Sequence, residues 1–150
     1  MRIAIGSDHA GYRLKEFLRA ELADQRHDLR DFGAHSPERV DYPDIAIPLA
    51  RSVVAGEADL GIVVCSNGVG VSIAANKVPG GRAALCHDAW SASRARAHTN
   101  ANILALGGLT IGEQVALDIV RAFLSNEFEG GRHARRVAKI EALDSEYARD

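Results

Sequence analysis

Leu60-Gly61-Ile62-Val63-Val64-Cys65-Ser66-Asn67-Gly68-Val69-Gly70 decides the fold of this chain. Its first six residues are a continuous apolar run rich in β-branched side chains, as in a strand covered on both faces of a parallel sheet. At Ser66 the run breaks into a glycine-rich loop, and residues 71–76 resume with helical composition. Outward from this unit the alternation repeats. On the N-terminal side, residues 2–5 read as a strand that ends in Gly6-Ser7-Asp8-His9-Ala10-Gly11. Residues 12–22 follow, with apolar side chains at 14, 17, 18 and 22, the period of an amphipathic helix. Residues 28–32 make a weaker strand, 33–44 a polar loop and 45–54 a helix. On the C-terminal side come a strand at 82–86, a helix at 89–97, a strand at 103–106, a helix at 111–124 and a basic helix at about 132–147. This order predicts an α/β chain: one three-layer α/β/α, Rossmann-like domain over residues 1–150, built on a five-stranded parallel sheet. In such sheets ligands bind at the carboxyl ends of the strands.

Composition narrows the function. The chain has 150 residues, 18 basic and 20 acidic, for a formal net charge of −2, with 47% hydrophobic and 5% aromatic residues. Near-neutral charge and scarce aromatics argue against a nucleic-acid partner. No apolar stretch approaches the ~18 residues of a membrane span, and the early Gly6 and Asp8 interrupt any signal-peptide core. Two cysteines make no disulfide framework, so a reduced, cytoplasmic setting is expected. The six histidines show no metal-ligand spacing and there is no Cys-x-x-Cys, so neither a metal site nor a cofactor is expected.

The strand ends collect the candidate chemistry: Asp8-His9, Cys65 with its loop, His87-Asp88 and Gly107-Gly108. Cys65 precedes a loop that opens a helix, where successive amides and the helix dipole favour an anion and a reactive sulfur; the alternative is a small apolar residue closing a strand. A cysteine phosphatase would carry Arg six residues after the cysteine, where this chain has Val71. A P-loop is absent. Gly68, Gly70 and Ala74, with Asp88 twenty residues beyond Gly68, match a relaxed dinucleotide-binding pattern, which keeps a nucleotide-binding module open. Arg132 and Arg136 share one helix face. Cations in a first helical turn oppose the dipole, a penalty that a phosphate would reverse, although a solvated basic face reads equally well. His98 is an acid–base group suited to neutral pH, and Tyr42 is a loop aromatic with a polar tip. Either also fits ordinary packing.

Taken together, the residues resemble the ribose-5-phosphate isomerase B family, which includes galactose-6-phosphate and allose-6-phosphate isomerases. The resemblance runs along nearly the whole chain. It rests on Gly6-Ser7-Asp8-His9-Ala10-Gly11, Asp41-Tyr42-Pro43-Asp44, Cys65 with Gly68-Val69-Gly70, Ala75-Asn76-Lys77, Arg82-Ala83-Ala84-Leu85-Cys86, His98 with Ala101-Asn102, and Glu129-Gly130-Gly131-Arg132-His133-Ala134-Arg135-Arg136. It implies a metal-free aldose–ketose isomerase working through a cis-enediolate, with D-ribose 5-phosphate and D-ribulose 5-phosphate of the pentose phosphate pathway as the default pair. Cys65 would move the proton between C1 and C2, and His98 would open the sugar ring. Amides from Ser66 through Asn67, Gly68 and Val69 to Gly70 would stabilise the enediolate. Asp8 and Tyr42 would hold sugar oxygens, and His9, Arg132 and Arg136 the phosphate. The resemblance also implies a homodimer with the site between subunits, sometimes paired into a dimer of dimers. Three positions depart from the family pattern: Ser66-Asn67 replaces Gly-Thr in the loop, Thr99 stands where Asn is usual, and Leu109 where Arg is usual. These expectations give Asn67 a place beside Cys65 and His98, put Thr99 at the substrate, and leave a four- or six-carbon sugar phosphate as the alternative.

Overall fold

The computed structural model describes residues 1–148. Five strands alternate with six helices: β1 (Arg2–Ser7), α1 (Tyr12–Asp24), β2 (Asp28–Asp31), α2 (Tyr42–Val54), β3 (Leu60–Cys65), α3 (Val69–Asn76), β4 (Ala83–Leu85), α4 (Ala89–Thr99), β5 (Ile103–Gly107), α5 (Glu113–Leu124) and α6 (Arg132–Tyr147). All pairings are parallel and the strand order is β2-β1-β3-β5-β4. β3 is central and buried along its whole length, as its unbroken apolar run requires.

Successive side chains of the central strands feed two cores. Ile62 and Val64 pack with Leu14, Leu18 and Phe123 beneath α1, α4 and α5. Val63 and Cys65 pack with Leu49, Val71 and Ala75 beneath α2 and α3. This is the three-layer arrangement expected from the sequence. α6 lies outside the layers against α4, tied to the segment before β4 by Arg82 to Glu141 at 3.0 Å and by the Gly80 amide to Asp144 at 2.8 Å.

Two local readings change. α2 begins at Tyr42 rather than at residue 45, because Pro43 sits in the first helical turn, where its missing N–H is no loss, with Asp41 as N-cap. Lys15, which the apolar positions of α1 leave unassigned, is fully buried one turn before Leu18. Its ammonium donates to both Asp31 oxygens at 3.0 Å and to the Ala34 carbonyl. A charge removed from water needs such partners. The interaction fastens the loop after β2, which also exchanges backbone hydrogen bonds between Ser7 and Gly33 and between Ala34 and Ser7, each 2.6 Å.

Candidate active site

The carboxyl edge of the sheet carries a dense polar group held by backbone contacts. Cys65 ends β3, is 3% exposed and accepts the Gly68 amide at 3.2 Å on Sγ. Gly68 has φ +80, and a Cβ there would strike Leu85 and the Leu106 carbonyl carbon, so only glycine closes the loop tightly enough to aim its amide at sulfur. Asn67 turns its Oδ1 to the Val69 amide at 3.0 Å. The first-turn amides of Gly70 and Val71 have no acceptor among the described residues, which leaves a small anion site at the start of α3. The Tyr42 ring covers Gly70 so closely that a Cβ would lie 2.8 Å from it. Asp8 is buried and accepts the Gly11 amide at 3.0 Å; His9 Nδ1 meets the Val40 amide at 3.3 Å. Ser66 and Cys65 are bridged to the loop after β5, their carbonyls accepting from Leu109 and Gly108 at 2.9 and 2.8 Å. Leu109 itself is exposed there.

A second group lies at the other end of the sheet. α4 runs antiparallel to the strands, so its last residues, His98 and Thr99, return to the amino edge. His98 stacks on His133 with ring centroids 4.0 Å apart and planes 9° apart. The Glu129 carboxylate lies 3.6 Å from His98 Nε2 and 3.7 Å from His133 Nε2, and the Glu129 amide donates to Ala97 at 3.0 Å. Burial, then the His98 ring and Arg132, push His133 below the ordinary imidazole range. Arg132 and Arg136 are exposed in the first turns of α6. Thr99 Oγ1 is engaged by the Ala95 carbonyl at 2.6 Å.

One chain therefore brings together Asp8, His9, Tyr42, Cys65, Ser66, Asn67, Gly68, Val69 and Gly70, and separately His98, Thr99, Arg132 and Arg136. Cys65 pairs with Gly107, whereas Ile103 pairs with Gly61, about 13 Å back along the strands by the rise of a parallel strand. His98 precedes even Ile103. Within a single copy Cys65 and His98 therefore lie at opposite edges of the sheet. Sequence reading missed Glu129 and His133 as neighbours of His98, because 31 and 35 positions separate them in the chain and only the return of α6 against α4 joins them.

The two cysteines differ. Cys86 follows β4 in the core, where burial and then Asp88 push its thiol up to about 11, so it stays neutral packing. Asp88 is engaged as the N-cap of α4, accepting the Ser91 amide at 2.7 Å and its hydroxyl at 2.8 Å, contacts that hold it below the usual carboxylate range. β4 also lies beyond β5 rather than beside β3. Asp88 is committed to the cap of α4 rather than free to take a ribose hydroxyl, which removes the acidic partner that the nucleotide reading needs.

A doubly wound parallel sheet with a buried cysteine and open helix amides at its carboxyl edge has the build of a small α/β enzyme whose ligands bind at that edge. A family model described as Ribose/Galactose Isomerase matches residues 3–140, and the chain belongs to that family: it is an aldose–ketose isomerase of sugar phosphates. It is 44% identical to Ribose-5-phosphate isomerase B of Escherichia coli over 143 residues, 95% of this chain and 96% of the relative. It is 43% identical to D-erythrulose-4-phosphate isomerase of Pectobacterium atrosepticum over 142 residues, 93% of each. The solved structure of Clostridium thermocellum Ribose-5-Phosphate Isomerase B superposes with a TM-score of 0.97 at 51% identity, covering 99% of this chain and 100% of the other.

Proposed function

We propose that the chain interconverts D-ribose 5-phosphate and D-ribulose 5-phosphate through a cis-enediolate, at a site made by the carboxyl edge of one copy and the amino edge of a second. The observation that carries this reading is the Cys65 sulfur, held by the Gly68 amide at 3.2 Å beside the open amides of α3. Cys65, as thiolate, takes the proton from C2 of the open-chain aldose and returns it to C1. The C1 aldehyde becomes an alcohol as the C2 alcohol becomes a ketone, so no external oxidant is needed. Charge that develops on the substrate oxygens meets the loop amides from Ser66 to Gly70 and the Asn67 side chain, donors that need no reorganisation. Asp8 and Tyr42 hold hydroxyls, and His9 faces the phosphate end.

His98 opens the ring, and Arg132 and Arg136 grip the phosphate; all three come from the second copy, because their own chain holds them at the wrong end of its sheet. A symmetric dimer supplies two such composite sites. Thr99 borders the sugar beside His98. A cytoplasmic setting suits this chemistry, since a base that must remain a thiolate is lost on oxidation.

A second substrate reading has its own observation. Leu109, 75% exposed and hydrogen-bonded to Ser66, offers no cation beside the loop, and the Pectobacterium relative is named for a four-carbon substrate. The test is incubation with ribose 5-phosphate in heavy water, followed by proton NMR. Ribulose 5-phosphate with deuterium at C1 supports the pentose reading. No product and no exchange, with turnover of erythrulose 4-phosphate instead, transfers the same mechanism to the shorter sugar.

A further inference from the structure

Three metal-type donor atoms converge at the amino edge: His98 Nε2, His133 Nε2 and a Glu129 carboxylate oxygen, all within 4.8 Å of one another. None is hydrogen-bonded to another, since the carboxylate stands 3.6 and 3.7 Å from the two nitrogens. His133 is 5% exposed, and its Nε2 is buried with no hydrogen-bond partner. That unpartnered nitrogen faces the same carboxylate that His98 faces. We propose that His98, Glu129 and His133 form a divalent-cation site, best suited to Zn2+, and that a cation bound there withdraws His98 from catalysis.

The donor set supports this. Two imidazoles and one carboxylate are a recurrent Zn2+ ligand set that leaves a fourth position open to water or an anion. Ligand atoms of a tetrahedral site with bonds near 2.0–2.1 Å lie about 3.4 Å apart, so the two carboxylate separations contract slightly, while His98 has to turn out of its 9° stack on His133 before both in-plane lone pairs can meet one ion. The required motion falls on side chains free to make it: Glu129 is about half exposed and His98 about one-third exposed. Their backbones are fixed to each other by the Glu129 amide on Ala97. His133, the buried member, supplies the rigid ligand at the start of α6. Arg132 and Arg136 carry opposing charge nearby, which limits affinity and selects against weakly coordinating cations such as Mg2+. The inhibitory consequence rests on the isomerase reading above; cation binding does not.

The two are separated by a spectroscopic titration of the full chain with Co2+ after chelator treatment. The expected result is one equivalent of visible d–d absorption per chain without a near-ultraviolet sulfur-to-cobalt band, displaced by Zn2+. It should weaken at least about tenfold in Glu129→Gln and His133→Asn and persist in Cys65→Ala. Glu129 is exposed, so Glu129→Gln tests the site even where His133→Asn fails to fold. In parallel, Zn2+ should inhibit sugar-phosphate turnover, with the midpoint shifted upward in Glu129→Gln. Absence of the Co2+ bands, or bands that carry the sulfur signature and vanish in Cys65→Ala while surviving Glu129→Gln, would overturn the proposal. Binding with undiminished turnover at saturation would overturn its inhibitory half.

Discussion

The two edges of one sheet are built differently. At the carboxyl edge nearly every polar side chain is fixed by a backbone partner: Asp8 by Gly11, His9 by Val40, Cys65 by Gly68 and Asn67 by Val69. At the amino edge His98 and Glu129 approach without bonding, His133 Nε2 is orphaned, and Arg132 and Arg136 project from α6 with no ion-pair partner among the described residues. Proton transfer between adjacent carbons tolerates little displacement, which suits groups anchored to strand ends. On the reading proposed above, ring opening and phosphate capture would use longer side chains whose partners come from a second copy. The difference reads as two half-sites awaiting each other.

The largest effect should follow from the anchored half. Cys65→Ala leaves the loop amides in place but removes the proton carrier, and kcat should fall by roughly 10³-fold or more, measured by the coupled appearance of ketose. Retained turnover would return Cys65 to the role of a strand-end apolar residue.

His98→Asn sharpens the division of labour. Turnover of ribose 5-phosphate should fall by about 10²-fold. Deuterium exchange at C1 of ribulose 5-phosphate should stay near the wild-type rate, because that ketose has no free hydroxyl at C5 with which to close a furanose ring. Loss of exchange equal to loss of turnover would make His98 part of the proton shuttle itself.

Arg132→Ala should raise KM for the sugar phosphate by about 10- to 100-fold, as expected for a lost charge-assisted hydrogen bond, with kcat little changed. A pure kcat defect would place Arg132 outside phosphate binding.

The smallest effect concerns pH. His133 is held below the ordinary imidazole value of 6.5, so the unfolded chain binds its proton more tightly. The stability that comes from keeping the ring neutral is complete above that value and is lost as pH falls through it. Thermal unfolding should therefore decline from pH 7 to 5.5 less steeply in His133→Asn than in the wild type. A residual slope should remain from His27, which burial also depresses. Identical slopes would remove His133 from the acid response.

Most of the layer order was legible because β3 is an uninterrupted buried strand and its loop announces a helix. The carboxyl-edge half-site was legible for the same reason, since residues just after strands must gather there. What escaped were relations that only tertiary return creates: Lys15 buried on Asp31, the start of α2 at Tyr42, and the meeting of His98 with Glu129 and His133. Strand order escaped too: β4 pairs beyond β5 rather than beside β3. The opposite placement of Cys65 and His98 follows from the antiparallel run of α4, which local pattern cannot convey once the resemblance has put both residues in one site.

The central claim, a composite site completed by a second copy, is tested most directly by mixing two inactive variants. Cys65→Ala and His98→Ala subunits, dissociated together and reassociated at equal amounts, should regain about a quarter of wild-type activity, because half of the random dimers carry one intact site of two. Activity no greater than that of the separate parents would contradict the account.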